Sequence, residues 1–231
     1  MKIQILGTGN GFETNLGTTS FLAWNGDMTS AILFDCGWSV FAELRRLEIE
    51  TKVNIIPKID TCFISHLHED HAGTAGLLAL YKAYIHGKPL KFIGIDTLPR
   101  YLSLVLQNAE ISGSADNIWQ YKEFGEFEII KNDHGGMPTC GILKDGIYYS
   151  GDTQYSMLES DVAKRAKIII HETQEHDEFH PQIKDLATAP ADIRAKTYLT
   201  HYRENEQSVL EAAAKEYGFA GVCRKGQEIE F

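Results

Sequence analysis

The chain has 231 residues, of which 43% are hydrophobic, and it carries a formal net charge of −10 at pH 7. This length predicts one domain, residues 1–231, and the acidic balance argues against long nucleic acid, which proteins usually bind through clustered Lys and Arg. No apolar stretch reaches the roughly 18 residues of a membrane span, so no membrane partner is expected. Four widely spaced cysteines, and a strand that begins at once with no signal peptide before it, predict reduced thiols and a cytoplasmic location.

Apolar runs and alternating patterns predict strands along the whole chain. They cover Lys2–Leu6, Thr19–Trp24, Ala31–Asp35, Asp60–Ser65, Lys91–Ile95, Trp119–Phe124, Phe127–Asp133, Thr139–Leu143, Ile147–Ser150, Ile168–His171, Thr197–His201, and Gly221–Val222 with Glu228–Phe231. Asp145-Gly146, between two of these strands, is typical of a two-residue hairpin turn.

Apolar residues at helical spacing predict helices between the strands. They cover Val40–Glu48, Thr74–Ile85, Leu98–Asn108, Met157–Arg165, Ala191–Lys196 and Glu206–Tyr217. The last of them ends before Gly218, a usual C-cap residue. Composition and pattern alone therefore indicate a mixed α and β fold.

The segment HLHEDH at residues 66–71 places three histidines and an aspartate directly after a predicted strand. The end of a strand fixes the position of the backbone, and the loop that follows can direct alternate side chains to one point. Neutral imidazoles and carboxylates are ligands that Zn²⁺, Mn²⁺ and Fe²⁺ accept. The alternative is a solvated polar loop, but only nine histidines occur in the chain, which makes this spacing improbable by chance.

Three further candidate ligands follow at the ends of later predicted strands. His134 follows an apolar alternation, Asp152 closes a strand that ends in Gly-Asp-Thr, and His201 closes another. A lone histidine at a strand end is more often structural than ligating. The three residues become strong candidates only together with the first motif and the family resemblance that it carries.

The H-x-H-x-D-H motif and the later residues resemble the metallo-β-lactamase superfamily over nearly the whole chain. The resemblance implies an α+β fold, the αββα four-layer sandwich, with two divalent metal ions, for which Zn²⁺ is favoured and Mn²⁺ also fits. It implies that His66, His68 and His134 hold one ion, that Asp70, His71 and His201 hold the other, and that Asp152 bridges them.

Such an ion pair implies hydrolytic chemistry, because bound metal lowers the pKa of water from about 15.7 to about 7. In this family the aspartate at position 70 also orients the nucleophile, so Asp70 is a candidate catalytic residue as well as a ligand. Asp35 matches an aspartate of the family that fixes a ligand histidine, although a turn aspartate is the alternative. Thr153, which follows Asp152, has the same two alternatives: it supports a ligand or it has only a role in the turn.

Several segments resemble the ribonuclease Z and cyclic-nucleotide phosphodiesterase branch of the superfamily. They are HGGMPTCG at 134–141, SGDT at 150–153 and IHET at 170–173. The resemblance implies that His180 supports the phosphate and protonates the leaving oxygen, and that Glu172 orients His180. A histidine suits this role because its pKa lies near neutrality.

Two departures argue against tRNA processing. Ribonuclease Z usually carries a long arm between the third histidine and the bridging aspartate, but here Asp152 follows His134 by only 18 positions. The Pro-x-Lys-x-Arg-Asn segment of that enzyme has no counterpart in residues 12–20. The chain instead looks like compact phosphodiesterases, in particular the phage anti-Pycsar group, which hydrolyses cyclic CMP and cyclic UMP in host cytoplasm as a homodimer.

The leading hypothesis is a dinuclear-metal phosphodiesterase that converts 3′,5′-cyclic nucleotides to linear monophosphates. The alternatives are a ribonuclease Z-like endonuclease, a thioester or lactone hydrolase, and a protein that binds a nucleotide without cleaving it. The sequence identifies no residue that reads the base. Phe12, Trp119 and Tyr202 are candidates for stacking on a base, with a core or rim role as the alternative.

Overall fold

Two β-sheets packed face to face form the centre of the protein. The structure is a computed structural model that describes residues 1–107, 118–121, 127–175 and 177–231. The first sheet contains, in spatial order, β13 (Glu228–Glu230), β1 (Lys2–Gly7), β2 (Ser20–Trp24), β3 (Ala31–Phe34), β4 (Ile59–Ile64), β5 (Leu90–Gly94) and β6 (Trp119–Tyr121). The second contains β12 (Gly221–Val222), β11 (Thr197–Thr200), β10 (Ile168–Glu172), β9 (Ile147–Tyr149), β8 (Met137–Lys144) and β7 (Glu128–His134).

Each sheet packs against apolar side chains on both of its faces. One hydrophobic cluster lies between the sheets, and one lies on the outer face of each sheet. Along β2, Phe21 and Ala23 face the space between the sheets, whereas Leu22 and Trp24 face the opposite side. Because the side-chain period of a strand is two, a strand that is buried throughout must serve two cores. The sequence of β2 is apolar at four of its five positions for this reason.

Helices cover the outer face of each sheet. The first sheet carries α1 (Val40–Thr51), α2 (Glu69–Ala72), α3 (Ala75–His86) and α4 (Leu98–Val105), together with a 3₁₀ turn at Ile56–Lys58. The second carries α5 (Asp161–Arg165), α6 (Ile183–Leu186), α7 (Ala191–Arg194) and α8 (Gln207–Tyr217), with a 3₁₀ turn at Glu204–Glu206. The layers therefore run helix, sheet, sheet, helix, which confirms the predicted αββα class.

The observed helices differ from the predicted ones most in one starting residue and in two short additional helices. The helix predicted to begin at Met157 begins at Asp161, because the Ser160 hydroxyl caps it by accepting the N–H of Ala163. Two short helices, α2 and α6, were not predicted, since four residues are too few for a helical period. Asn108 of one predicted helix and residues 122–124 of one predicted strand lie outside the described residues.

The carboxyl ends of strands from both sheets meet at one edge of the sandwich. The Cys140 amide of β8 donates to the Ser65 carbonyl just after β4, at 3.0 Å, and the His201 amide after β11 donates to the Thr8 carbonyl after β1, at 2.8 Å. These bonds join the two sheets where the predicted ligands lie. Among the described residues, no helix has the length and apolar character that would let it cross a lipid bilayer.

Candidate metal centre

Four predicted ligands converge on the side of the site formed by the β4 and β7 ends. His66, His68, His134 and Asp152 each offer one ligand atom, and these atoms lie within 4.8 Å of one another. His66 Nε2 lies 2.9 Å from His68 Nδ1. Such a set of imidazole nitrogens around one carboxylate could hold a divalent ion.

A second group lies beside the first. Asp70, His71 and His201 also offer atoms within 4.8 Å of one another. Asp70 Oδ2 lies 3.4 Å from Nε2 of each of the two histidines. The sequence motif spans both groups, because residues 66 and 68 belong to the first and residues 70 and 71 to the second.

The Asp152 carboxylate lies between the two groups and is buried. Its Oδ1 is 3.4 Å from His71 Nε2, and its Oδ2 is 3.3 Å from His201 Nε2. On the other side, Oδ2 is 3.9 Å from Nε2 of both His66 and His134. One carboxylate therefore faces four imidazoles of both groups.

The donor set fits a pair of divalent ions. Asp152 Oδ1 is buried and has no hydrogen-bond partner among the described residues. Burial disfavours charge on the Asp70 carboxylate, but His71 and His201 outweigh this and hold its pKa well below the usual range. Burial, together with His71, holds the pKa of His66 well below its usual value, so that imidazole is neutral and available as a ligand.

Asp35 anchors the metal-binding loop from beneath. Its Oδ1 accepts the Ser65 amide at 2.7 Å, and its Oδ2 accepts the Ser65 hydroxyl at 2.8 Å and lies 2.7 Å from His71 Nδ1. The Tyr149 hydroxyl donates to the same Oδ2 at 2.7 Å. Since a partner on Nδ1 leaves Nε2 to face the site, this carboxylate orients the His71 ring.

Tyr149 was missed at the sequence level, and its neighbour provides a matched test of its role. Both Tyr148 and Tyr149 are buried, but the Tyr148 hydroxyl has no hydrogen-bond partner among the described residues. We expect Tyr149→Phe to lower the free energy of unfolding by about 1.5–3 kcal/mol, the usual worth of a hydrogen bond to a charged group. Tyr148→Phe is expected to be neutral or stabilising, because it removes an unpaired buried hydroxyl.

Urea unfolding of both variants, with and without added metal, measures this difference. Burial, with Asp35 and Asp152 nearby, raises the pKa of Tyr149 well above its usual range, so the hydroxyl remains a donor across the working pH range. Equal midpoints for the two variants would show that the bond to Asp35 contributes nothing to stability.

Glu172 and His180 form a third cluster with His134 and Asp152, and the four residues offer ligand atoms within 4.8 Å of one another. Glu172 Oε2 lies 2.6 Å from His180 Nδ1, and Glu172 Oε1 accepts the Thr153 amide at 2.5 Å. The His180 ring lies between two ligand rings, with centroids 4.7 Å from His134 and 4.9 Å from His201. Burial and the nearby Asp152 raise the pKa of Glu172.

His171, Tyr202 and Trp119 have structural roles. His171 is buried, its Nδ1 donates to the Glu172 carbonyl, and its Nε2 accepts the Met157 amide at 3.3 Å. Burial lowers its pKa to about 4, so it is neutral. Tyr202 is buried in the core of the second sheet, and Trp119 packs against the core of the first, so neither is placed to stack on a ligand.

The two metal-competent groups lie at the wall of a pocket of about 340 Å³. It is lined by Asn10, Gly11, Phe12, His68, Glu69, Asp70, His134, Asp152, Gln174, Asp177, His180, His201 and Arg203. Five of the seven predicted ligands and His180 thus line one cavity. Its volume is in the range of small-molecule sites.

The sequence also matches a known protein family over almost its whole length. The family model described as "Anti-Pycsar protein Apyc1" matches residues 1–229. The chain belongs to this Apyc1 family. A curated Apyc1 protein from Paenibacillus sp. (strain J14) is 26% identical, and the alignment covers 90% of this chain and 91% of that protein.

A further relative and a solved structure are similar to this Apyc1-family chain over nearly its whole length. The ribonuclease Z of Brevibacillus brevis is 26% identical over 94% of this chain and 83% of its own length. The crystal structure of the metallo-β-lactamase fold protein YhfI from Bacillus subtilis aligns with a TM-score of 0.75, covering 100% of this chain and 99% of that one at 20% identity. This member of the Apyc1 family is therefore a metal-dependent hydrolase with the metallo-β-lactamase fold, as the sequence predicted.

Proposed function

We propose that the protein hydrolyses 3′,5′-cyclic nucleotides, foremost cyclic CMP and cyclic UMP, to linear nucleoside monophosphates. The observation that carries this proposal is the placement of the Glu172–His180 pair at the two metal-competent groups between which Asp152 lies. Hydrolysis of a cyclic diester needs an activated water and a proton donor for the leaving oxygen. The site offers residues for both within one small pocket.

A pair of divalent ions bound by the two groups supplies Lewis-acid chemistry and activates water at neutral pH. We assign His66, His68 and His134 to one ion, Asp70, His71 and His201 to the other, and Asp152 to both. Asp70, whose side chain is only 12% exposed, also orients the attacking water.

His180 is the proposed proton donor. Because Glu172 holds Nδ1 at 2.6 Å, the imidazole has a fixed ring orientation that leaves Nε2 for the substrate. As water forms its bond to phosphorus and releases one proton to the solvent, the bond from phosphorus to one ring oxygen breaks, and His180 transfers its proton to that oxygen. The products are a phosphate monoester and a free hydroxyl on the ribose.

Pocket size and chain topology favour a small substrate over RNA. The 17 residues between His134 and Asp152 form the β8–β9 hairpin, which pairs in register from Ile142 with Tyr149 to Lys144 with Ile147. A tRNA-gripping arm would have to leave the sheet at this point. The net charge of −10 also opposes contact with a long phosphate backbone.

A ribonuclease Z-like endonuclease is the second candidate, favoured by the relative from Brevibacillus brevis. It predicts cleavage of a precursor tRNA and an activity that falls steeply with salt. Cyclic mononucleotide turnover, by contrast, should depend little on salt, because a single phosphate is neutralised. Zn²⁺ ions, a homodimer and a cytoplasmic location complete the leading proposal, and metal analysis with light scattering tests the first two.

Chromatographic analysis of cCMP, cUMP, cAMP and cGMP incubated with metal-loaded protein tests the activity directly. We expect linear monophosphates from the wild type, none from the His68→Ala, Asp70→Ala double variant, and a kcat reduced roughly 10²–10⁴-fold in His180→Ala. The double variant controls for contaminating phosphodiesterases. An inert wild type with two metal ions per chain would refute the proposal, and precursor tRNA cleavage would replace it with the second candidate.

A further inference from the structure

Phe12 is the most exposed large hydrophobic residue among those the structure describes, with 92% of its surface accessible, and it lines the pocket beside the metal centre. Histidines are the other aromatic residues along the described pocket wall, and each already belongs to the metal groups or to the proton-donor pair. A phenylalanine in this position contributes almost no packing to the fold, because its ring has hardly any buried contact. Its ring therefore offers an apolar face to whatever enters the pocket.

The backbone that carries this ring is held firmly. The Phe12 amide donates to Asn10 Oδ1 at 3.1 Å, and the Glu13 amide donates to the Asn10 carbonyl at 3.3 Å, which closes a turn over residues 10–13. From the opposite side, the Trp38 indole donates to the Gly11 carbonyl at 3.0 Å. An exposed ring on an immobilised turn loses little further entropy when a ligand covers it.

The same turn lies close to Asp70 of the metal centre and is hydrogen-bonded to the opposite wall of the pocket. A Cβ atom on Gly11 would lie 3.2 Å from Asp70 Oδ2, so the turn passes directly over that carboxylate. Asn10 Nδ2 donates to Gln174 Oε1 at 2.5 Å, and Gln174 Nε2 donates to Asp177 Oδ2 at 2.8 Å. Phe12 thus keeps a fixed relation to the place where the phosphate of a substrate would lie.

We propose that Phe12 is a stacking platform for the nucleobase and that the Asn10–Gln174–Asp177 chain of hydrogen bonds positions it. This inference rests on the proposed cyclic-nucleotide activity. A cyclic nucleotide bound with its phosphate at the metal groups must direct its base toward the pocket mouth, where an aromatic face is available. Stacking is tolerant of base identity, so Phe12 contributes affinity for a nucleotide in general and little preference between bases.

The decisive experiment compares a substrate with a base and one without. Wild type, Phe12→Ala, Phe12→Trp and the control Tyr84→Ala, another exposed aromatic residue but on α3, are assayed with cUMP and with 1-deoxyribofuranose 3′,5′-cyclic phosphate. We expect Phe12→Ala to raise KM for cUMP roughly 5- to 150-fold, the range of base–aromatic stacking, with kcat changed less than about twofold. Phe12→Trp should restore KM, and Tyr84→Ala should match the wild type.

Three further readouts distinguish stacking from a structural effect. The KM for the abasic substrate should be the same in wild type and Phe12→Ala, and the thermal midpoints of the two proteins should agree. Calorimetric titration with a non-hydrolysed phosphorothioate analogue of cUMP should show the same loss of affinity as KM. An unchanged KM for cUMP, or an equal rise with the abasic substrate, would overturn the role of Phe12. A wild type that cleaves no cyclic nucleotide would instead refute the activity on which the inference rests.

Discussion

Asp152→Asn is expected to lower kcat/KM for the proposed cyclic-nucleotide substrate by roughly 10³-fold or more and to reduce the metal content of the proposed dinuclear site from two ions to one per chain. The magnitude corresponds to about 4 kcal/mol of lost transition-state stabilisation, with each 1.36 kcal/mol worth tenfold. The substitution preserves shape and removes charge. It is therefore a test of electrostatics at the centre of the site.

The position of Asp152 explains the size of this effect. Its two oxygens lie within 3.3–3.9 Å of Nε2 of His66, His71, His134 and His201. An amide in the same place would present one uncharged oxygen and one N–H₂ donor, and the donor would repel a cation. With Asp70 as the remaining carboxylate of the two groups, two dications would be poorly neutralised.

Asp145→Asn is the matched control. Asp145 lies with Gly146 in the two-residue turn between β8 and β9, with a positive φ of 53°, and asparagine is well suited to such a turn. The same chemical change should there leave activity and metal content unaltered. Metal analysis and steady-state kinetics measure both variants. An Asp152→Asn protein that kept two ions and more than a tenth of the activity would contradict the bridging assignment.

The placement of the predicted ligands shows how much of the site the sequence can predict. Residues 66–71 are close in the chain, so their spacing alone indicates a metal site. His134, Asp152 and His201 are far apart in sequence, yet each follows a predicted strand. Strand prediction placed each of them at a strand end, and the family resemblance, not the strand pattern alone, indicated that they lie together.

Partners that depend on tertiary contact were not predictable in this way. Tyr149 reaches Asp35 across 114 positions of sequence, and Asn10 reaches Gln174 across 164. Neither contact follows a period or a motif, since each depends on how the two sheets pack. The sequence likewise did not decide whether Phe12, Trp119 and Tyr202 stack on a base or pack in the core. All three are aromatic, and only their burial in the folded chain separates a pocket-rim residue from a core residue.

Two residues at the edge of the sandwich that carries the candidate ligands have unusual backbone conformations. Asp35 has a φ of 57° and His201 a φ of 66°, both in the left-handed region that non-glycine residues seldom occupy. Strain of this kind persists where the surrounding structure fixes it. At Asp35 four hydrogen-bonding contacts do so, and at His201 the amide bond to the Thr8 carbonyl does. The strained residues are a candidate ligand and the residue that orients another ligand.

Gly37→Ala is expected to destabilise the protein by about 3 kcal/mol or more, beyond the common range for an overpacked site, and to reduce activity roughly 10²-fold through displacement of the metal-binding loop. Residues 36–38 run alongside residues 69–71, with the Cys36 amide donating to the His71 carbonyl at 2.7 Å and the Trp38 amide donating to the Glu69 carbonyl at 3.0 Å. A Cβ atom at position 37 would lie 1.9 Å from the Asp70 carbonyl oxygen.

That atom is backbone, so no side-chain rotation relieves the overlap, and Asp70 itself must move. Gly26→Ala is the matched control, because a Cβ there meets nothing within 4 Å and the substitution should be neutral or slightly stabilising. Thermal unfolding of the metal-free proteins isolates the steric effect from loss of metal, and kinetics of the metal-loaded proteins reports the displaced Asp70. A Gly37→Ala protein with the stability and activity of Gly26→Ala would mean that the two segments do not approach this closely.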